Sequence, residues 1–335
     1  MSCSKCGWIE NPNVDPDEYL FVFGIEDKIY MLWQLELFLY SACKMEKSKR
    51  YKNSRIKPEN ILIVIFNDYR PLSNYLSNII AYYGIKWEKA SNYGRSDKIH
   101  IYREGHDVEE LEYAGANKLY AVCEAWRRGY HKDYGYLVLL DTDIFVYKEV
   151  NFHVFPFLRS AMSWNWLVEP MHEFFANAER AHDEDYGVDL ELLMQAFHIK
   201  QEWIDKFSPG SVFMFFKSTD LSENFINDLI SYKDIIWRSS RVIRHPAWII
   251  DMPCYALAFA SNGIEVDTLK LAEFDSTNSA EKAWDWDVNA GTFVHYAHDT
   301  WGDYNWGGKG QFGDDIPFNK SRFLNQGIKE APYRS

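Results

Sequence analysis

Tyr136-Leu-Val-Leu-Leu-Asp-Thr-Asp-Ile-Phe-Val146 is the stretch on which the fold turns. Five residues dominated by Leu and Val read as a strand buried on both faces, and that run passes directly into two acids. In open α/β sheets ligands gather at the carboxyl ends of the strands, which is where Asp141 and Asp143 fall. Working outward, Tyr19 to Gly24 reads as a buried first strand, and Ile61 to Phe66 as a second, stopped by Asn67-Asp68. Between them Ile29, Leu32, Trp33, Leu35, Leu37, Phe38 and Leu39 predict an amphipathic helix reaching Cys43. Pro71 to Tyr83 predicts a further helix with Gly84 as its stop, and Ala116 to Arg128 another ending near Gly129. Strand, helix, strand, helix, strand in this order predicts an α/β fold with a mainly parallel central sheet flanked by helices.

The second half is less regular. Ser160 to Val168 and Val212 to Phe216 read as strands, and Ala247 to Asn262 as a helix. Residues 284–318, rich in Gly, Trp and Asp, read as ordered loops around a site. No repeat or clear linker interrupts the chain. The expected organisation is a tail over 1–18, one domain over 19–323 and a second tail over 324–335. Within the domain, 19–150 would bind nucleotide and 151–323 would face the acceptor.

Composition narrows the function. The 335 residues are 47% hydrophobic, which excludes general disorder, and 25% charged. Thirty-six Lys and Arg against 49 Asp and Glu give a net charge of −13, which argues against a globally basic nucleic-acid binder. Thirteen Trp, 22 Tyr and 22 Phe supply flat faces that fill cores and also stack on sugars and bases. No run of about 18 apolar residues could span a bilayer, so no membrane insertion is expected. The N-terminus has no apolar run of the secretory type, and five scattered cysteines make no disulfide framework. A cytoplasmic protein is expected, and an enzyme of a phage or virus acting in its host's cytoplasm fits the same expectation. Cys3 and Cys6 form half of a zinc-ribbon pattern whose other half is missing, so a frayed terminus is the better reading.

The chemistry centres on Asp141-Thr-Asp143. Hard divalent cations prefer oxygen ligands, and two acids at this spacing can hold Mg²⁺ or Mn²⁺ against a diphosphate. A solvated turn is the alternative. Further along, His295 and His298 in Phe293-Val-His-Tyr-Ala-His-Asp299 offer an imidazole ligand, with His295 the choice, or else satisfy ordinary hydrogen bonds. Lys309, in Gly307-Gly-Lys-Gly310, could neutralise phosphate charge or be an exposed lysine.

These residues resemble a known family. The chain is similar to glycosyltransferases of the GT-A type, and in particular to the group of peptidyl serine galactosyltransferases and hydroxyproline arabinosyltransferases. The resemblance is carried by Leu137 to Val146 with its acidic metal motif, by Trp248-Ile-Ile-Asp-Met-Pro-Cys-Tyr-Ala-Leu-Ala-Phe-Ala260, and by His295-Tyr296 with Gly308-Lys-Gly310. Asn117-Lys118 matches a dipeptide that precedes the metal strand in that group. It implies a GT-A-like domain that moves a sugar from a nucleotide diphosphate sugar, expected to be UDP-linked, to a hydroxyl. The implied metal ligands are Asp141, Asp143 and His295. Phe23, Gly24, Asn117, Lys118, Asp141 and Lys309 are the candidates to hold the nucleotide-sugar. An inverting transfer needs a carboxylate to take the acceptor proton, and Asp251 or Glu169 could serve. Asp251 reads equally well as an acid favoured at a helix N-terminus, and Glu169 as a turn residue.

Two acceptors are open. The resemblance implies a peptide hydroxyl. Lys44, Lys47, Lys49, Arg50, Lys52, Arg55 and Lys57 form a basic run that is either a solvated loop or a groove for a polyanion, which would suit a hydroxymethylated base of phage-type DNA. Trp284, Trp286, Trp301 and Trp306 could include a platform for a sugar, or make an aromatic core cluster. The acidic stretch from Glu179 to Glu191 reads as solvated. The competing functions are a sugar- or nucleotide-binding protein without turnover, and a nucleotidyltransferase. The latter would need a Gly-rich basic loop that Phe23-Gly-Ile-Glu-Asp27 does not provide.

Overall fold

A computed structural model of the chain describes residues 18–44, 56–93, 116–146, 160–163, 200–206, 214–239 and 251–269. It also describes positions 195 and 198 and the short strands at 2–3, 8–9, 99–101, 109–111, 274–275, 293–295, 300–301 and 304–305. The main elements in chain order are β1 (Tyr19–Ile25), α1 (Ile29–Leu39), β2 (Ile61–Phe66), α2 (Asn74–Tyr83), β3 (Lys86–Ala90) and α3 (Ala116–Arg127). They continue with β4 (Tyr136–Leu140), β5 (Ile144–Val146), β6 (Ser160–Ser163), β7 (Met214–Lys217), α4 (Glu223–Ser239), α5 (Asp251–Ser261), β8 (Val266–Leu269), β9 (Phe274–Asp275) and β10 (Phe293–His295). The chain has an α/β fold. Its residues form two units that interleave along the sequence: Met1–Ala90, Leu140–Leu158 and Lys270–Ser335 make the first, Ser91–Leu139 and Arg159–Leu269 the second.

In the first unit β1, β2 and β3 run parallel, with Phe21 opposite Ile61 and Leu62 opposite Lys86. All six residues of β2 are buried, as expected of a strand covered on both faces. Helix α2 has the terminal chemistry its sequence promises. Ser73 accepts from the Leu76 amide at 3.2 Å, and Gly84 closes the helix in the left-handed conformation at φ 71°. Asp27, on the loop after β1, accepts from both the amide and the hydroxyl of Ser73 at 2.6 Å.

Helix α1 departs from expectation in two ways. It is buried on every side from Leu32 to Leu39 rather than amphipathic, because three neighbours surround it. Phe38 packs on Phe23 of β1 at 4.7 Å, Tyr75 of α2 donates to Glu36, and Ser41 reaches β5. It also stops at Leu39, and Tyr40–Lys44 widens into a π turn where the helix had been expected to run on to Cys43. A second small sheet completes this unit: β5 runs antiparallel to β10, which runs parallel to β9.

In the second unit the strand order is β8, β6, β7, β4. β8 and β6 are parallel, whereas β7 is antiparallel to both β6 and β4, with Phe216 opposite Leu137. The parallel expectation therefore holds throughout β1, β2 and β3 and only in part here, where β7 runs against both its neighbours. An apolar run reports burial and is silent about strand direction. The Phe216 ring packs among Phe225, Tyr255 and Phe259 at 6.0, 5.6 and 5.7 Å, which seats α4 and α5 on the sheet. Burying an aromatic side chain of this size stabilises by roughly 1.5–3 kcal/mol relative to exposure. Ser160 ties the strand ends by donating to Asp220 at 2.7 Å and accepting from the Lys217 amide at 2.8 Å. Among the described residues no helix is long and apolar enough to cross a membrane.

Candidate functional site

Strand β4 is buried throughout, and the chain leaves it at Leu140 to make the turn Asp141-Thr142-Asp143 before entering β5. Both acids are half-buried while Thr142 between them is buried. The apolar strand on one side and Ile144, fully buried, on the other fix where the turn sits. Its middle is fastened to α1, where the Thr142 hydroxyl donates to Gln34 Oε1 at 3.1 Å. Its far end is fastened to the π turn, where the Val146 amide donates to Ser41 Oγ at 3.0 Å and Ser41 in turn donates to the Phe38 carbonyl at 2.9 Å. Gln34 lies within α1 and Ser41 in the π turn that follows it, so the acid turn is tied to two successive parts of one helical segment. Widened helical turns of this kind are frequent beside functional sites.

The third expected ligand enters by backbone register. β10 pairs with β5 so that His295 lies opposite Ile144, the residue following Asp143. The backbone thus brings Asp141, Asp143 and His295 into one neighbourhood of the first unit. The donor chemistry fits a hard or borderline divalent ion, with two carboxylates one residue apart on a turn tied at its centre and an imidazole-bearing residue in the adjacent strand. Among the described side chains no three His, Cys, Asp or Glu converge, and the His295 side chain is outside that set.

The second unit holds a different constellation. Lys118, on the first turn of α3, places Nζ 3.5 Å from Oδ2 of Asp251, the first residue of α5, and Asp251 is 3% exposed. Asn117 beside it donates to Asn92 Oδ1 at 3.0 Å. Tyr93 stacks on Tyr120 with centroids 3.9 Å apart, and the fully buried Lys233 ammonium stands 5.1 Å from the Tyr120 ring while pairing with Asp234. Burial, and then the Glu124 carboxylate, push the Tyr93 phenol up. Burial is also the main cause that pushes the Cys254 thiol up, with Asp251 adding to it, and it raises Cys123 to about 12. Both shifts favour the protonated thiol over the reactive thiolate.

Several sequence candidates find other places. Phe23 is fully buried against Phe38, which makes it a core residue, and Gly24 is paired with Val64 inside the sheet. Glu169, Lys309, His298, Trp284, Trp286, Trp306, Cys6, Lys47 to Arg55 and the stretch from Glu179 to Glu191 lie outside the described residues, as do the side chains of Trp301 and Cys3. Conversely, the sequence reading passed over Gln34, Ser41 and Lys233. A signal for the first was present, since Gln34 and Glu36 are the polar residues in an otherwise apolar helix core. No protein-family model matches the chain, and no curated protein sequence matches it.

Proposed function

We propose that the chain is a metal-dependent glycosyltransferase of GT-A type that moves a sugar from a nucleotide diphosphate sugar, in its expected form UDP-linked, to a hydroxyl of a macromolecular acceptor. The observation that carries this reading is the Asp141-Thr-Asp143 turn: two half-buried carboxylates at the mouth of a buried strand, on a backbone tied at its centre. In this reading Asp141, Asp143 and His295 hold Mn²⁺ or Mg²⁺, which supplies charge stabilisation to the departing diphosphate. Asp141 and Asp143 would contribute negative oxygens on a turn whose centre is held by the Thr142 bond to Gln34. In transfer, the bond between the anomeric carbon and the diphosphate oxygen breaks as one to the acceptor oxygen forms, and the acceptor proton passes to a base. Asp251 and Glu169 are the candidates for that base. Asn117, Lys118 and Lys309 are the candidates to orient the donor and balance its phosphates, with Lys118 already beside Asp251. The acceptor is a peptide hydroxyl by family resemblance, or a hydroxymethylated base if the basic run from Lys44 to Lys57 grips DNA.

The direct test is a panel of nucleotide-sugars assayed for Mn²⁺-dependent release of free nucleotide. Asp143→Ala should reduce that release by about two orders of magnitude or more while leaving the thermal midpoint near that of the wild type. Undiminished release by Asp143→Ala refutes the assignment.

A further inference from the structure

The turn that carries the two acids is held by a residue outside the metal motif. Gln34 lies in the middle of α1, is 2% exposed, and accepts the Thr142 hydroxyl bond across 108 residues of sequence. Its other polar end, Nε2, is buried and makes no hydrogen bond among the described residues. An amide in an apolar helix that spends only one of its two ends is costly, and a Leu of similar volume would pack there without that cost. Packing therefore does not account for it. What the amide does accomplish is local, for it pins the one residue between Asp141 and Asp143. The Ser41 bond to the Val146 amide pins the chain three residues beyond Asp143, so the acids stand on a turn anchored at two points, by α1 and by the π turn that follows it.

We infer that Gln34 is a positioning residue for the carboxylate pair, acting through Thr142 to hold the turn in the geometry that receives a divalent cation. This rests on the reading that Asp141 and Asp143 bind such an ion. The physical reason is preorganisation. Two like-charged carboxylates repel and would swing apart on a free turn, and a turn locked beforehand spares the ion that ordering cost. Partners of this outer kind commonly govern metal affinity by ten- to a hundredfold.

The test measures Mn²⁺ itself, by loss of the free-ion electron paramagnetic resonance signal on titration of the full chain, together with thermal unfolding in the absence of metal. Thr142→Ser, which keeps the hydroxyl, should bind Mn²⁺ as the wild type does. Thr142→Val and Gln34→Leu should each weaken binding about tenfold. The double variant should bind no more weakly than the worse single variant, because both changes break one latch. Folded Thr142→Val and Gln34→Leu proteins with wild-type Mn²⁺ affinity would overturn the inference, as would losses that add in full in the double variant. Should Gln34→Leu fail to fold, Thr142→Val against Thr142→Ser decides the matter alone. A wild-type protein that takes up no Mn²⁺ brings down the metal reading and this inference with it, whereas intact wild-type binding with unchanged variants removes only the inference.

Discussion

Two carboxylate sites, one in each unit, are built differently. In the second, Asp251 is buried with a lysine 3.5 Å away, and the fully buried Lys233 has Asp234 and an aromatic face. Charge there is matched within the protein. In the first, Asp141 and Asp143 stand half-exposed, and the bonds that hold their turn come from a threonine hydroxyl and a main-chain amide. Asp27 repeats the pattern, received by the amide and hydroxyl of Ser73. An interior that supplies its own counterion balances the acid's charge without an ion from solution. In the proposed reading, a turn fastened through neutral groups presents its acids to a cation.

Lys118→Met should break the contrast most visibly. It leaves Asp251 buried without its ammonium partner, and breaking such a pair costs about 3–5 kcal/mol. Chemical denaturation should show a loss of that order, and Lys118→Met with Asp251→Asn should recover much of it. A loss below about 1 kcal/mol would place Asp251 in a solvated setting and dissolve the distinction between the two sites.

A smaller effect is expected where the carboxylate is received by neutral donors. Ser73→Ala removes the cap of α2 and one of the two bonds to Asp27. The expected cost is about 1 kcal/mol by the same denaturation measurement. A value near that for Lys118→Met would mean that neutral donors matter as much as buried counterions do.

The smallest effect comes from protonation in the second unit. Burial, followed by the neighbouring Lys132, lowers the pKa of His131, whose ring stacks on Trp126 at 5.5 Å. Because its folded pKa lies below its unfolded value, the unfolded chain binds the proton first as pH falls. Stability from this residue is present above about pH 6.5 and is lost as pH drops from there toward the folded pKa. Between pH 7.5 and pH 5 the thermal midpoint of His131→Phe should fall less than that of the wild type. Equal slopes would show that His131 titrates alike in both states.

Much of the scaffold is legible in the sequence because its signals are local. β2 and β4 fall within the apolar runs that announce them, and α2 ends at the glycine that predicts its stop. β3 was missed because Lys86-Trp-Glu-Lys-Ala90 carries three charges and no apolar run. Even so, its amides complete a parallel ladder with β2. Helix α4 was missed although its seventeen residues begin with an acid in the first turn and carry regularly spaced apolar residues, which is a helical signal. At the site, the acids themselves were plain from Asp141-Thr-Asp143. Phe23, offered as a contact for the nucleotide-sugar, is fully buried against Phe38, a placement that the residues beside it in sequence do not reveal.

The chain's own letters determined the buried strands, the helix stops and the placing of two acids where an apolar run ends, since each depends on residues a few positions apart. Tertiary structure alone decided that β7 runs against its neighbours, that Lys118 meets Asp251, that His295 lies beside the acid turn in register, and that Gln34 grips Thr142. Those outcomes depend on hydrogen bonds and charge pairs closed across long loops, whose partners are selected by packing and not by spacing.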